Sequence, residues 1–112
     1  MTYNSGDFGR VTRLVSRGYD VLAVATRSDG YIFHLTDSAE HGRQIHAGCK
    51  TMTVKEFRKH ARSYAKEYVR MFALGDASDK RAWTRYGNQK MKETLAIIDA
   101  LVASADAKWS TE

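Results

Sequence analysis

Proline is absent from the whole chain, cysteine occurs once, and no apolar run approaches the roughly 20 residues that a membrane-spanning helix needs. The first absence removes proline-rich linkers and polyproline ligands. The second removes an intrachain disulfide and suits a reducing compartment. The opening residues, MTYNSGDFGR, also lack the charged-then-apolar layout of a secretory signal. A cytoplasmic protein that stays out of membranes is therefore the expectation. No repeat or low-complexity tract interrupts the 112 residues, a length that suits one domain, 1–112, with one modest core.

Catalytic signatures are missing too. There is no G-x-S-x-G elbow, no H-E-x-x-H and no Gly-rich phosphate cradle. The carboxylates are dispersed, and Asp29 and Asp37 suit turn and loop geometry. His34, His41, His46, Cys49 and His60 fall close together, yet zinc sites present paired ligands twice over, and only His46-x-x-Cys49 has such a gap. On a strand those two residues would point to opposite faces. A thiolate nucleophile at Cys49 would need an electropositive, accessible setting. Its alternation with Ile45 and Ala47 instead predicts a small, inward-facing apolar group. No enzyme, metal or cofactor is expected.

What is present describes a folded, basic protein. A hydrophobic fraction of 43%, two tryptophans and six tyrosines argue against disorder. A net charge of +5 and a pI near 9.5 favour acidic partners: nucleic acid, an anionic protein surface or anionic lipid. Thirteen carboxylates interspersed among 18 Lys and Arg dilute that field.

The pattern predicts α+β segregation, with strands and glycines before residue 53 and long helices after it. FGRVTRLVSRG places Phe8, Val11, Leu14 and Val15 at helical spacing, with Ser5 or Asp7 as caps and Gly18 as the stop; a strand is the alternative. Two apolar runs around Ser28-Asp29-Gly30 predict a hairpin. RQIHAGCKT reads as a third strand. Thr53 and Glu56 form a capping box, flanked by Met52 and Phe57 as a hydrophobic staple, so a helix starts there and runs to Leu74-Gly75. A second long helix starts at Asp76 or Ser78, with a kink or short break at Gly87-Asn88 and an apolar arc of Trp83, Met91, Leu95, Ile98, Leu101 and Val102. The short linker makes the two helices antiparallel neighbours. The expected architecture is a three-stranded antiparallel sheet near residues 19–51, a short N-terminal helix and a C-terminal two-helix layer packed on the sheet.

The helix from Thr53 carries the most pointed feature. On a 100° wheel Lys55, Arg58, Lys59, Arg62, Lys66 and Arg70 share about a third of the circumference. Such a stripe could track phosphates, or it could be the solvated side that any amphipathic helix needs. The second helix repeats the theme at Lys80, Arg81, Arg85, Lys90 and Lys92. Tyr64, Tyr68, Phe72 and Trp83 could stack bases, but they lie on the apolar arcs and read as core. Tyr3, Tyr19 and Trp109 are less constrained.

IHAGCKTMTVKEFRKHA resembles a loose group of small phage and prophage proteins. In these a strand ends in an Ala-Gly-Cys-Arg-like element, an aromatic-Thr pair follows, and a helix carries a histidine about ten residues on. Ala47, Gly48, Cys49, Lys50, Met52, Thr53 and His60 match. Lys50 stands where arginine is usual, Met52 where an aromatic is, and Ala61 where tryptophan is expected. The resemblance covers about a quarter of the chain. It implies a phage protein that binds and blocks a host factor, including defence complexes such as CRISPR effectors. The leading expectation is thus a non-catalytic, anti-CRISPR-like inhibitor acting by surface occlusion through the cation stripe. The alternative is sequence-nonspecific nucleic-acid binding by the same residues.

Overall fold

The computed structural model describes residues 5–73, 75 and 77–109, without the side chains of residues 5–8, 77, 78 and 109. The helix α1, Ser5–Ser16, is followed by four strands: β1 Asp20–Thr26, β2 Ile32–Asp37, β3 Gln44–Ala47 and β4 Lys50–Thr53. Three helices close the chain: α2 Val54–Arg62, α3 Tyr64–Phe72 and α4 Ala77–Trp109. The sheet is an antiparallel meander in the order β1-β2-β3-β4. It has four strands rather than three, and three C-terminal helices rather than two. No helix among the described residues is long and apolar enough to cross a membrane.

The fourth strand exists because the chain turns back where the sequence pattern runs on. Gly48 adopts φ 59° between Ala47 and Lys50, which pair across the turn. No described non-glycine residue has positive φ, so Cys49 completes a two-residue loop of the type II′ pattern. A side chain at Gly48 would also meet the Tyr31 ring, whose hydroxyl lies 1.9 Å from the position a Cβ would take. Cys49 is therefore exposed in a hairpin turn. It does not share an inner face with Ile45 and Ala47, and the inward cysteine is corrected.

The predicted hairpin is present. Gly30 (φ 88°) donates to the Arg27 carbonyl and the Arg27 amide donates to Tyr31, which closes a three-residue loop. α1 ends as expected at Gly18. The Gly18 amide donates to Val15 and the Tyr19 amide to Leu14, a Schellman pair. Residue 4 and the side chains of Ser5, Asp7 and Phe8 lie outside the described part, as do Tyr3, the Trp109 side chain, and Leu74, Asp76 and the Ser78 side chain.

One sheet face carries the apolar core. Leu22, Phe33, Leu35, Ile45 and Ala47 pack against Phe57 of α2 and Ile98, Leu101 and Ala105 of α4, with Met52 and Val102 at the margin. The capping box at Thr53 is formed in full: Glu56 N–H donates to Thr53 Oγ1 at 3.1 Å, and Thr53 N–H donates to Glu56 Oε1 at 2.9 Å. That cap fixes where α2 begins, and so delivers Phe57 to the core.

The predicted single helix after Thr53 divides at Ser63. Its hydroxyl donates back to the His60 carbonyl at 2.7 Å, a local bond that competes with the helical ladder. α3 has no fully buried residue and packs mainly on α4. The 33 residues of α4 make a rod about 50 Å long, matching the longest dimension of the molecule, 52 Å. Its later half lies on the sheet and its earlier half carries α3 antiparallel.

Gly87 does not break α4. A Cβ there would lie 2.5 Å from Ala65 Cα and 2.9 Å from the Tyr64 carbonyl oxygen. The glycine is where α3 and α4 touch backbone to backbone.

Candidate functional site

The six predicted contact residues sit on consecutive helices but are not equivalent. Arg58 is half-buried and ion-paired with Asp99 of α4. Arg70 pairs with Glu67 one turn back at 2.6 Å. Lys55, Lys59, Arg62 and Lys66 are exposed and make no ion pair among the described residues. The stripe is thus thinned to four open cations. Lys90, one of the second-helix cations, is buried, with 8% of its surface exposed.

Lys90 belongs to a polar lock between the β1–β2 turn and α4. Buried Arg27 forks onto Asp29, Nε to Oδ1 at 3.0 Å and Nη2 to Oδ2 at 2.9 Å, and its Nη1 donates to Thr94 Oγ1 at 3.1 Å. The guanidinium also lies over the Tyr31 ring at 5.0 Å and the Phe33 ring at 5.5 Å. Lys90 Nζ donates to Ser28 Oγ at 3.2 Å and lies 3.9 Å from Asp29. Glu93 accepts from both the amide and the hydroxyl of Ser28. The Arg27 bonds hold the Asp29 carboxyl below the ordinary carboxylate range. Every charge here is paired, as structural burial requires.

The aromatic residues form a file that runs from core to surface. Phe33, Phe57, His60, Tyr64 and Tyr68 meet successively at centroid distances of 5.6, 5.7, 5.3 and 5.9 Å. The file follows the i, i+3, i+4 side of α2 and α3 across the Ser63 break. At its far end Phe72 stacks on Trp83 at 4.8 Å, and Tyr86 meets both Trp83 and Tyr68. Only the inner end is core. Phe72 is 43% exposed, Tyr86 40% and neighbouring Met71 60%. An open groove of about 450 Å³ lies among Tyr68, Phe72, Ala82, Trp83 and Tyr86. The expectation that Tyr68, Phe72 and Trp83 are interior residues is corrected, because α3 has only α4 beneath it and no sheet to close over it.

The histidines and the cysteine do not converge. Among the described residues no group of three or more His, Cys, Asp or Glu is placed to hold a metal. His34 and His46 face each other across β2 and β3 on the sheet face opposite the core. His46 Nε2 lies 2.9 Å from Thr36 Oγ1 and Nδ1 lies 3.1 Å from Thr51 Oγ1. The Tyr19 ring meets it edge-on at 4.9 Å. Burial, then the charge of Arg10 and the proximity of His34, pushes His46 down to about 4. It is neutral at physiological pH.

A second cationic feature lies on this polar face. Arg10, Arg13 and Leu14 of α1 and Arg17 just past its end line a cleft of about 190 Å³ with His46, Gly48 and Thr51. Leu14 is buried, whereas Val15, part of the expected apolar arc, is exposed. α1 therefore meets the sheet partly with its arginine side. Burial, then Arg13, lowers the Arg10 pKa. Comparison with protein-family models, curated proteins and solved structures finds no match, so these surfaces are read from their own geometry.

Proposed function

We propose that this chain is a non-catalytic binding protein that occludes a surface of a partner protein, and that the aromatic end of the α3–α4 arm makes the contact. One observation carries the reading: Tyr68, Phe72, Trp83 and Tyr86 form an ordered cluster whose outer members stay open to solvent around a groove. Large, rigid aromatic side chains of this kind dominate binding energy at protein interfaces, because they bury much area at little conformational cost. Lys66, Arg70, Lys80, Arg81 and Arg85 are exposed on the same arm, against Glu67 and Asp79. That excess favours an acidic partner and disfavours a second copy of the chain, which would bring like charges together. The resemblance to small phage proteins supplies the partner class, a host or anti-phage defence complex.

Nucleic-acid binding is the second reading, favoured by the four open cations Lys55, Lys59, Arg62 and Lys66. Affinity capture from nuclease-treated bacterial lysate separates the two. A captured protein should be lost with Phe72→Ala/Tyr86→Ala, its purified complex weakening by about 30-fold or more. It should be kept by Lys55→Gln/Lys59→Gln/Arg62→Gln. Capture that vanishes with nuclease, together with salt-sensitive duplex binding lost in the cation variant, would replace the first reading with the second.

A further inference from the structure

The cleft under α1 brings arginines together with an imidazole and a hairpin turn. Arg10 and Arg13 are spaced i, i+3 on one side of α1, and Arg17, just past the helix end with its amide still donating to the Arg13 carbonyl, continues that side. Leu14, between them on that side, is buried against the sheet and fixes the rotation of α1. Arg10 is half-buried at the cleft, and Arg13 and Arg17 are exposed at its rim. Across from them lie His46 and Thr51, with Gly48 at the hairpin turn.

We propose that this cleft binds a phosphate group. Guanidinium forks match phosphate oxygens two bonds at a time. No carboxylate lines the cleft among the described residues, whereas the cleft beside Lys59 contains Glu56. Burial first, and then the neighbouring Arg13, disfavours the charge on Arg10, and a bound anion would relieve this. At about 190 Å³ the cleft is smaller than the roughly 300–1,000 Å³ typical of sites for drug-sized ligands. It admits the phosphate and leaves any attached nucleoside or chain outside. Free phosphate, a mononucleotide and a terminal phosphate on a nucleic acid share this chemistry. The site is on a different face from the aromatic arm and does not rest on the protein-partner reading.

Titration of the ¹⁵N-labelled protein with inorganic phosphate tests it. Saturable shifts are expected at the Gly48 and Thr51 amides and at the Nε–H groups of Arg10, Arg13 and Arg17. Parallel titrations with adenosine monophosphate, and with a short single strand bearing or lacking a 5′-phosphate, identify the source by which arm binds tightest. Arg13→Gln/Arg17→Gln changes two exposed side chains and should weaken binding about ten-fold or more, with Lys59→Gln/Arg62→Gln unchanged. Phe72→Ala/Tyr86→Ala should bind phosphate like the wild type, so the two proposals fail separately. Unsaturable drift of Lys and Arg signals over the whole surface, saturation centred on α2 and α3, or full affinity in the Arg13/Arg17 variant would overturn the assignment. If that variant melts early, the wild-type shift map decides alone.

Discussion

Gly87→Ala should destabilise the protein, against the usual sign for glycine in a helix. In an open helix interior the change gains about 1 kcal/mol. Here the new Cβ would stand 2.5 Å from Ala65 Cα, 2.8 Å from Ala65 N and 2.9 Å from the Tyr64 carbonyl oxygen. Ordinary carbon contacts are about 3.5–4.0 Å, so α3 and α4 must part by about 1 Å. Backbone cannot rotate out of the way as a side chain does. The overpacking cost therefore falls near the upper end of the usual range, about 3 kcal/mol. The net is a loss of about 2 kcal/mol, equivalent to roughly 8 °C in Tm for a domain of this size. Because α3 has no fully buried residue, part of the loss should appear as early release of the arm. In a Trp109→Phe background, Trp83 fluorescence should then change before the far-ultraviolet circular dichroism. Asn88→Ala, exposed on the next position of α4, is the control and should gain a few tenths of a kcal/mol. A rise in Tm for Gly87→Ala matching that control would refute the close helix contact.

Two further outcomes follow from buried polar groups. Asp29→Asn keeps an acceptor for the Tyr31 amide but removes the charge that Arg27 is paired with; it should cost about 3 kcal/mol in urea unfolding. Arg27→Met/Asp29→Asn should recover part of that loss, and a double variant less stable than Asp29→Asn would count against the buried-charge account. His46 has a folded pKa of about 4, below its ordinary 6.5, so the unfolded chain takes up the proton first. Its contribution is complete above pH 6.5 and is lost as pH falls toward 4, by about 2–3 kcal/mol once some water access through the cleft is allowed for. His46→Gln should flatten stability against pH in that window, and an unchanged slope would place the titration elsewhere.

What was legible in the sequence is what local chemistry decides. The Thr53–Glu56 box needs only two side chains three residues apart, and it forms as expected. The Asp29-Gly30 turn is equally local. Gly48 misleads because Ile45, Ala47 and Cys49 continue a period of two, and alternation does not register that a chain has reversed. At Gly87 the local cost of glycine is visible from the sequence, but the benefit belongs to Ala65 on another helix. Lys90 reads as one of a row of helix cations because its partners, Ser28 and Asp29, are joined to it only by the fold.

The site residues divide along the same line. A wheel identifies a cation stripe on α2 and α3 because charge and spacing are both sequence properties. Whether a cation is open depends on tertiary partners, and Asp99 takes Arg58 out of the set. α1 has the converse history. Its apolar arc predicts which side should meet the sheet, yet that sheet face presents His34, Thr36, His46 and Thr51, since Phe33, Leu35, Ile45 and Met52 alternate onto the other. A helix crossing a polar face need not turn its most apolar side down. Arg10, Arg13 and Arg17 at i, i+3, i+7 were a signal in the sequence. They become a binding surface only when strand alternation shows that the floor beneath them is made of imidazole and hydroxyl groups.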